Sequence, residues 1–192
     1  MQSPVRIMGA LLALVVPMQA QAKGEPSTDL VEGFQGALVG CQEWVLNPAS
    51  WSSGPGPFME KVGLGDKMGQ VGQTDPVTLP PEPWRKGNHY WRINSLPSAG
   101  YVLVVSDRLP ICHITGGGSL DLQPVVERVL VSEKFKRDWK EGDTYHREDM
   151  VSTTYTSAEE PRFSMVVSRA DKAGARLDRV QVVVSASMTM NN

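Results

Sequence analysis

Cysteine and histidine are scarce in this sequence, whose 192 residues include two cysteines and three histidines. These few side chains fall at no spacing that is typical of a zinc site or another transition-metal site. Three catalytic or phosphate-binding patterns are absent as well. They are the Gly-x-x-x-x-Gly-Lys-Ser/Thr of phosphate-binding loops, the Gly-x-Ser-x-Gly of serine hydrolases and the Ser-x-x-Lys of penicillin-binding enzymes. No cofactor is therefore predicted.

The chain also lacks an excess of either charge, with 19 basic and 21 acidic side chains and a net charge of −2. Charges of both signs are scattered, and no basic stripe suggests nucleic acid as a partner. After the first 22 residues, no segment is apolar and long enough to span a bilayer.

The first 22 residues have the layout of a secretory signal peptide. Arg6 precedes the apolar run 7–16, and the small residues Ala20 and Ala22 follow. This order predicts cleavage between Ala22 and Lys23, and a mature chain that is periplasmic or secreted. The alternative is an uncleaved membrane anchor, but the run has only about half of the ~20 residues that a spanning helix needs.

In an exported chain the two cysteines favour a disulfide. Cys41 falls on the apolar face of a predicted helix, and Cys112 shares a strand face with an isoleucine two residues later. Both side chains then point between helix and sheet, where a Cys41–Cys112 bond would join the two layers. A free buried thiol and a catalytic thiol remain alternatives. Because His113 points away from Cys112, a catalytic thiol would need His89 or His146.

Periodicity predicts the following order of elements. A helix at 30–45 comes first, then strands at 89–94, 100–106 and 111–115, a helix at 119–139, and strands at 145–156, 162–169 and 177–188. Consecutive strands without intervening helices are typical of antiparallel sheets. The sequence thus predicts an α+β fold: a mainly antiparallel sheet of five to six strands packed by two helices, in the order helix–three strands–helix–three strands. Residues 23–192 would form one domain, with the glycines at 116–118 in a loop.

Residues 48–88 read as a long irregular loop, because prolines and glycines recur throughout, although a short helix near 58–62 fits the pattern. Loops of this length inside a compact domain are often functional. The segment is therefore the first place to expect a binding surface.

Aromatic and basic side chains are mixed at 83–92, where the candidate binding surface consists of Trp84, Arg85, Lys86, His89, Tyr90 and Arg92. Stacking and positive charge suit a glycan, a peptidoglycan strand or an acidic protein. The alternative is an ordinary strand, in which Trp91 is buried while Tyr90 and Arg92 face water.

One cluster contains carboxylates and a histidine within nine residues: Glu141, Asp143, His146, Glu148 and Asp149. With a second histidine, His89 or His113, it could hold iron, and the carboxylates alone could hold calcium. The alternative is a solvated turn of mixed charge, since Arg147 stands among them, and no metal site is predicted.

Three short residue patterns, and the predicted helix that follows them, resemble those of a group of known proteins. The patterns are Phe34-x6-Cys41, Tyr101-x-Leu103 and Cys112-x-Ile114. The pattern looks like small exported proteins of Gram-negative bacteria that have no assigned activity, and it spans roughly residues 30–180. The resemblance implies residence in the periplasm and supplies neither catalytic residues nor a substrate.

Three functions follow as hypotheses. The leading one is a non-catalytic protein that binds another envelope protein or a glycan. The second is a cell-envelope hydrolase with a site built from His89, His113 and nearby carboxylates, which requires two imidazoles near a carboxylate in one cleft. The third is an inhibitor that inserts the 48–88 loop into an envelope hydrolase, which requires a protruding loop with exposed aromatic side chains.

Overall fold

The structure is a computed structural model that describes residues 25–189. Its framework is one antiparallel sheet of eight strands. The strands are β1 (Met68–Val71), β2 (Asn88–Leu96), β3 (Ala99–Ser106), β4 (Ile111–Gly118), β5 (Trp139–Arg147), β6 (Met150–Ser157), β7 (Phe163–Ala170) and β8 (Val180–Met188). The predicted signal peptide and its cleavage site lie outside the described residues.

The spatial order of the strands is β1-β2-β3-β4-β8-β7-β6-β5. Each half of the chain forms a four-stranded meander in which consecutive strands are neighbours, as short connections between antiparallel strands allow. The two meanders join where β4 pairs with β8, so this junction lies in the middle of the sheet.

Five α-helices accompany the sheet within residues 25–189. They are α1 (Thr28–Leu46), α2 (Ala49–Ser52), α3 (Pro55–Val62), α4 (Gln123–Leu130) and α5 (Glu133–Asp138). Alternate side chains of the strands, such as Trp91, Leu103 and Val184, form one buried cluster with the helices. The remaining strand residues point the other way. In the described part of the chain no helix packs on that other side of the sheet, which we call the open face. None of the helices between residues 25 and 189 is long and apolar enough to cross a membrane.

Cys41 of α1 and Cys112 of β4 form a disulfide, which confirms the predicted pairing. Their Cα atoms are 5.5 Å apart, within the usual range for such a bond, and both side chains are buried between α1 and the sheet. The chain has no other cysteine. The free thiol and the catalytic thiol are therefore excluded.

The glycines of α1 let neighbouring elements approach the helix closely. An added Cβ would stand 2.6 Å from Leu64 Cγ at Gly36 and 2.9 Å from Leu103 Cδ2 at Gly40. A side chain at either position would push into the core. The loss of helix propensity, ~1 kcal/mol per glycine relative to alanine, is thus offset by packing.

The predicted fold is wrong in the number and order of its elements, because the structure has eight strands and five helices instead of five to six strands and two helices. One missed strand is β1, which has only four residues, includes Gly69 and lies within the Pro/Gly-rich stretch. No local pattern marks it as a strand. It extends the sheet because its backbone pairs with β2.

The other missed elements lie between α4 and β6. A single predicted helix over 119–139 is divided, because Ser132 Oγ accepts a hydrogen bond from the Phe135 amide at 3.3 Å and caps the separate α5. Trp139 then begins β5 instead of ending the helix. The strand predicted over 145–156 is two strands, because the chain turns at Glu148, where φ is 55°.

Residues 48–88 contain more regular structure than the predicted loop. They hold α2, α3, β1 and three 3₁₀ turns, at Gly65–Lys67, Pro76–Thr78 and Glu82–Trp84. Prolines and glycines delimit these elements: Pro55 begins α3, and Gly63, with φ of 75°, ends it. Phe58 is buried, and Trp51 and Trp84 are half-buried. The segment therefore lacks the exposed aromatic side chains that insertion into a hydrolase would require.

The consecutive glycines at 116–118 lie inside β4 and not in a loop. An added Cβ would stand 2.6 Å from the Tyr101 ring at Gly116 and 2.5 Å from the Arg179 carbonyl oxygen at Gly117. Close approach of neighbouring side chains and backbone to β4 accounts for this run of glycines.

Candidate functional site

A groove of about 800 Å³ lies on the open face near one end of β2, β3, β4 and β8. Its floor is formed by open-face residues of these strands and their ends: Arg92, Asn94, Gly100, Val102, Thr115, Gly117 and Val180. The cross-strand register places Arg92 beside Val102 and Val102 beside Thr115. We call this feature the open-face groove.

Two chain segments form the walls of the groove. One is the second 3₁₀ turn, where Asp75 Oδ1 accepts a hydrogen bond from the Val77 amide at 2.9 Å. The other is the hairpin 171–179 between β7 and β8, where the Asp178 amide donates to the Gly118 carbonyl at 3.0 Å. The second bond ties the hairpin to β4, whereas the first only shapes the turn itself. The hairpin wall is therefore formed without a ligand, as in most small-molecule sites.

One exposed apolar side chain lies on a wall of the groove. Val77, in the second 3₁₀ turn, is 64% exposed. It can cover an apolar part of a ligand that lies in the groove.

Thr115 in the floor has an unsatisfied hydroxyl group. The residue is 3% exposed, and its Oγ1 has no hydrogen-bond partner among the described residues. Six other buried side-chain atoms also lack a partner, but none of their residues lines the groove. A buried hydroxyl without a partner costs about 1–3 kcal/mol. Because the oxygen itself is buried, a water molecule or a ligand satisfies Thr115 only after a small shift of the side chains around it.

Three arginines line the groove, and they differ in what they already bind. Arg176 donates through Nε to the Val180 carbonyl at 2.7 Å and forms an ion pair with Asp149. Arg92 and Arg179 are exposed and make no ion pair within residues 25–189. These two guanidinium groups are the charges that the groove offers to a ligand.

The six residues of the predicted binding surface do not share one surface. Tyr90 and Arg92 lie on the open face, because they pair with Val104 and Val102. His89 alternates with them and points to the helix side of the sheet, where its ring centroid is 5.3 Å from that of Trp44.

The other three residues of that predicted surface precede β2. Trp84 is half-buried, and Arg85 donates through Nε to the Pro80 carbonyl at 2.8 Å. Lys86 is exposed, and its carbonyl accepts a hydrogen bond from Ser106 at 2.6 Å. Of the six, Arg92 alone lines the open-face groove.

The three histidines lie apart from one another. His89 Nε2 is 3.4 Å from Asp107 Oδ2 at the sheet end. His113 lies on the open face, where its Nδ1 is 3.0 Å from Ser185 Oγ, and burial lowers the pKa of His113 to about 4. His146 is exposed on β5. Because His89 and His113 point to opposite faces, the site that the hydrolase hypothesis requires is not formed.

The acidic cluster around His146 is spread along an exposed strand and its turn. Its members are Glu141, Asp143, His146, Glu148 and Asp149. Asp149 is bound to Arg176. In the part of the chain that the structure describes, no group of three or more His, Cys, Asp or Glu residues is arranged to hold a metal ion.

A second cavity, of about 370 Å³, lies between α1, α3 and α5 on the helix side. Its charged side chains are already paired: Lys67 Nζ is 2.6 Å from Asp29, and Lys134 Nζ is 3.2 Å from Asp138. The open-face groove is the stronger candidate because two of its three arginines and its buried hydroxyl lack partners in the described chain.

Arg92 and Asn94 could be placed on one strand face from their spacing, and Thr115 on the face opposite Cys112. The groove itself could not be predicted from the sequence, because its two walls, near Asp75 and Asp178, are about 100 positions apart in the chain. Comparison of the chain with protein-family models, with curated proteins and with solved structures finds no match.

Proposed function

We propose that this protein is an exported, non-catalytic binding module and that the open-face groove is its ligand site. The order of charged, apolar and small residues at the start of the sequence and the buried disulfide support export. The observation that carries the binding site is the Thr115 hydroxyl, which is buried in the floor of the groove without a partner.

The groove suits binding more than catalysis. Its lining contains no histidine, the commonest general base, and no cysteine, so a nucleophile paired with histidine is absent from it. One of its walls, the hairpin 171–179, is tied to β4 by a hydrogen bond within the protein. A preformed site loses little conformational entropy when a ligand binds, which favours affinity.

The test replaces Thr115 by valine, which keeps the shape of the side chain and removes the hydroxyl. Because the hydroxyl has no partner in the protein, we expect Thr115→Val to raise the free energy of unfolding by about 1 kcal/mol. Urea unfolding followed by tryptophan fluorescence measures the change.

Thr153→Val is the matched control. Thr153 is also buried in a strand, but its hydroxyl lies 2.8 Å from that of Thr144. Its replacement should lower the free energy of unfolding by about 1 kcal/mol, because a buried hydrogen bond is lost. If Thr115→Val destabilises the protein as much as this control, the Thr115 hydroxyl is satisfied internally and the proposed site loses its main support.

A further inference from the structure

The floor of the open-face groove offers almost no free backbone groups. Arg92, Val102, Thr115 and Val183 pair in succession across β2, β3, β4 and β8. Most amide and carbonyl groups of these strands are therefore bonded to each other, apart from irregular pairing at 93–96 of β2 and at 116–117 of β4. A peptide could not be held by strand addition, the usual way in which sheets bind extended peptides, and any ligand has to be recognised by side chains.

The side chains of the groove supply donors and acceptors in similar numbers. Arg92 and Arg179 donate, Asp178 accepts, and Asn94 and Thr115 do both. A ligand that both donates and accepts at many positions matches such a set. Sugar hydroxyls have this property, since each is one donor and two acceptors, as in the side chains of serine and threonine.

The arginines add a requirement for negative charge. Arg92 lies on β2, and Arg179 lies next to the start of β8. β2 and β8 are three strand spacings apart, which is about 14 Å across the sheet. Neither has a carboxylate partner in the described chain. A planar guanidinium group binds a carboxylate through two parallel hydrogen bonds. Asp75 and Asp178 also line the groove, so a ligand carboxylate is favoured next to the arginines and disfavoured elsewhere.

The geometry points to an acidic oligosaccharide, a short chain of sugars that bears carboxylates, as the ligand of the open-face groove. Its carboxylates pair with Arg92 and Arg179, and its hydroxyls bond to Asn94, Thr115 and Asp178. The inference rests on the proposed function and specifies the class of ligand.

Trigalacturonic acid is a suitable probe, because it has three carboxylated rings and its methyl ester has the same skeleton without charge. Calorimetric titration of the full mature chain at low salt should show binding of the acid and at least about tenfold weaker binding of the ester. Arg92→Gln and Arg179→Gln should each weaken binding of the acid by a similar factor.

Arg147→Gln is the matched control, since Arg147 is exposed on β5, makes no ion pair in the described chain and lies outside the groove. It should change the affinity by less than about twofold, because only long-range, salt-screened charge is lost. Equal melting temperatures of the three variants establish that all are folded.

Three results would overturn the inference. They are equal binding of acid and ester, equal losses in Arg92→Gln and Arg147→Gln, and no binding of trigalacturonic acid at millimolar concentration. Stronger binding of triglutamate than of trigalacturonic acid would likewise show that the groove takes an acidic peptide. None of these results affects the stability of Thr115→Val, so failure of the ligand class and failure of the proposed site are distinguishable.

Discussion

Reduction of the Cys41–Cys112 bond should weaken the fold more than any single contact on its surface. The bond joins α1 to β4, the central strand of the sheet, and its two cysteines are 71 positions apart. When the bond is intact, the unfolded chain keeps a closed loop of that length. Reduction frees this loop and gives the unfolded state conformations that it did not have.

The chain-entropy relation gives the size of the effect. A loop of 71 residues corresponds to about 4.4 kcal/mol at 25 °C, less any strain that the bond introduces. Native domains have free energies of unfolding of only about 5–15 kcal/mol. Loss of the disulfide should therefore remove a large part of the free energy of unfolding, even though the other core contacts stay in place.

Urea unfolding with and without a phosphine reductant measures this change through the five tryptophans. We expect the midpoint to fall, and the slope to rise because a reduced unfolded chain exposes more surface. The Cys41→Ala/Cys112→Ala variant should not respond to the reductant. A shift of less than about 1 kcal/mol in the wild type would refute the loop-entropy argument.

Two further predictions concern the open face and β4. Because burial lowers the pKa of His113 to about 4, the unfolded chain takes up a proton below pH 6.5 that the folded protein does not. Stability should then fall by about 1.4 kcal/mol per pH unit from 6.5 down to 4. His113→Gln should have a weaker dependence of stability on pH than the wild type. If stability falls equally steeply with pH in both proteins, His113 is not its cause. Gly116→Ala should cost about 1–3 kcal/mol, because its Cβ would meet the Tyr101 ring. Gly142→Ala is the control, because its Cβ would have no contact closer than 3.4 Å. It should leave the stability measured by thermal unfolding unchanged. If both variants lose the same stability, the Tyr101 contact does not explain why Gly116 is a glycine.

Local patterns were sufficient for part of this fold. The apolar period of α1 and the alternation in β4 place Cys41 and Cys112 on facing surfaces, and the disulfide follows from that geometry. The same alternation puts Thr115 on the face away from Cys112. These predictions succeed because each depends on neighbours within one helix or one strand.

Elements that depend on distant partners could not be predicted. β1 is a strand only because it pairs with β2, and Trp139 begins β5 because Ser132 ends one helix and caps another. The open-face groove needs the hairpin 171–179 to bond back to Gly118. No feature of the sequence near Thr115 indicates that contact.

The two strands that pair with β4 are synthesised at very different times. β3 immediately precedes it, whereas β8 is the last strand of the described residues. The cysteines are both made before residue 113, so oxidation can occur while half of the sheet is still missing. Until β8 is made, β4 has a row of unbonded amide and carbonyl groups, and such an edge recruits other chains. A molecule truncated before Val180 would consequently be cross-linked yet prone to aggregate.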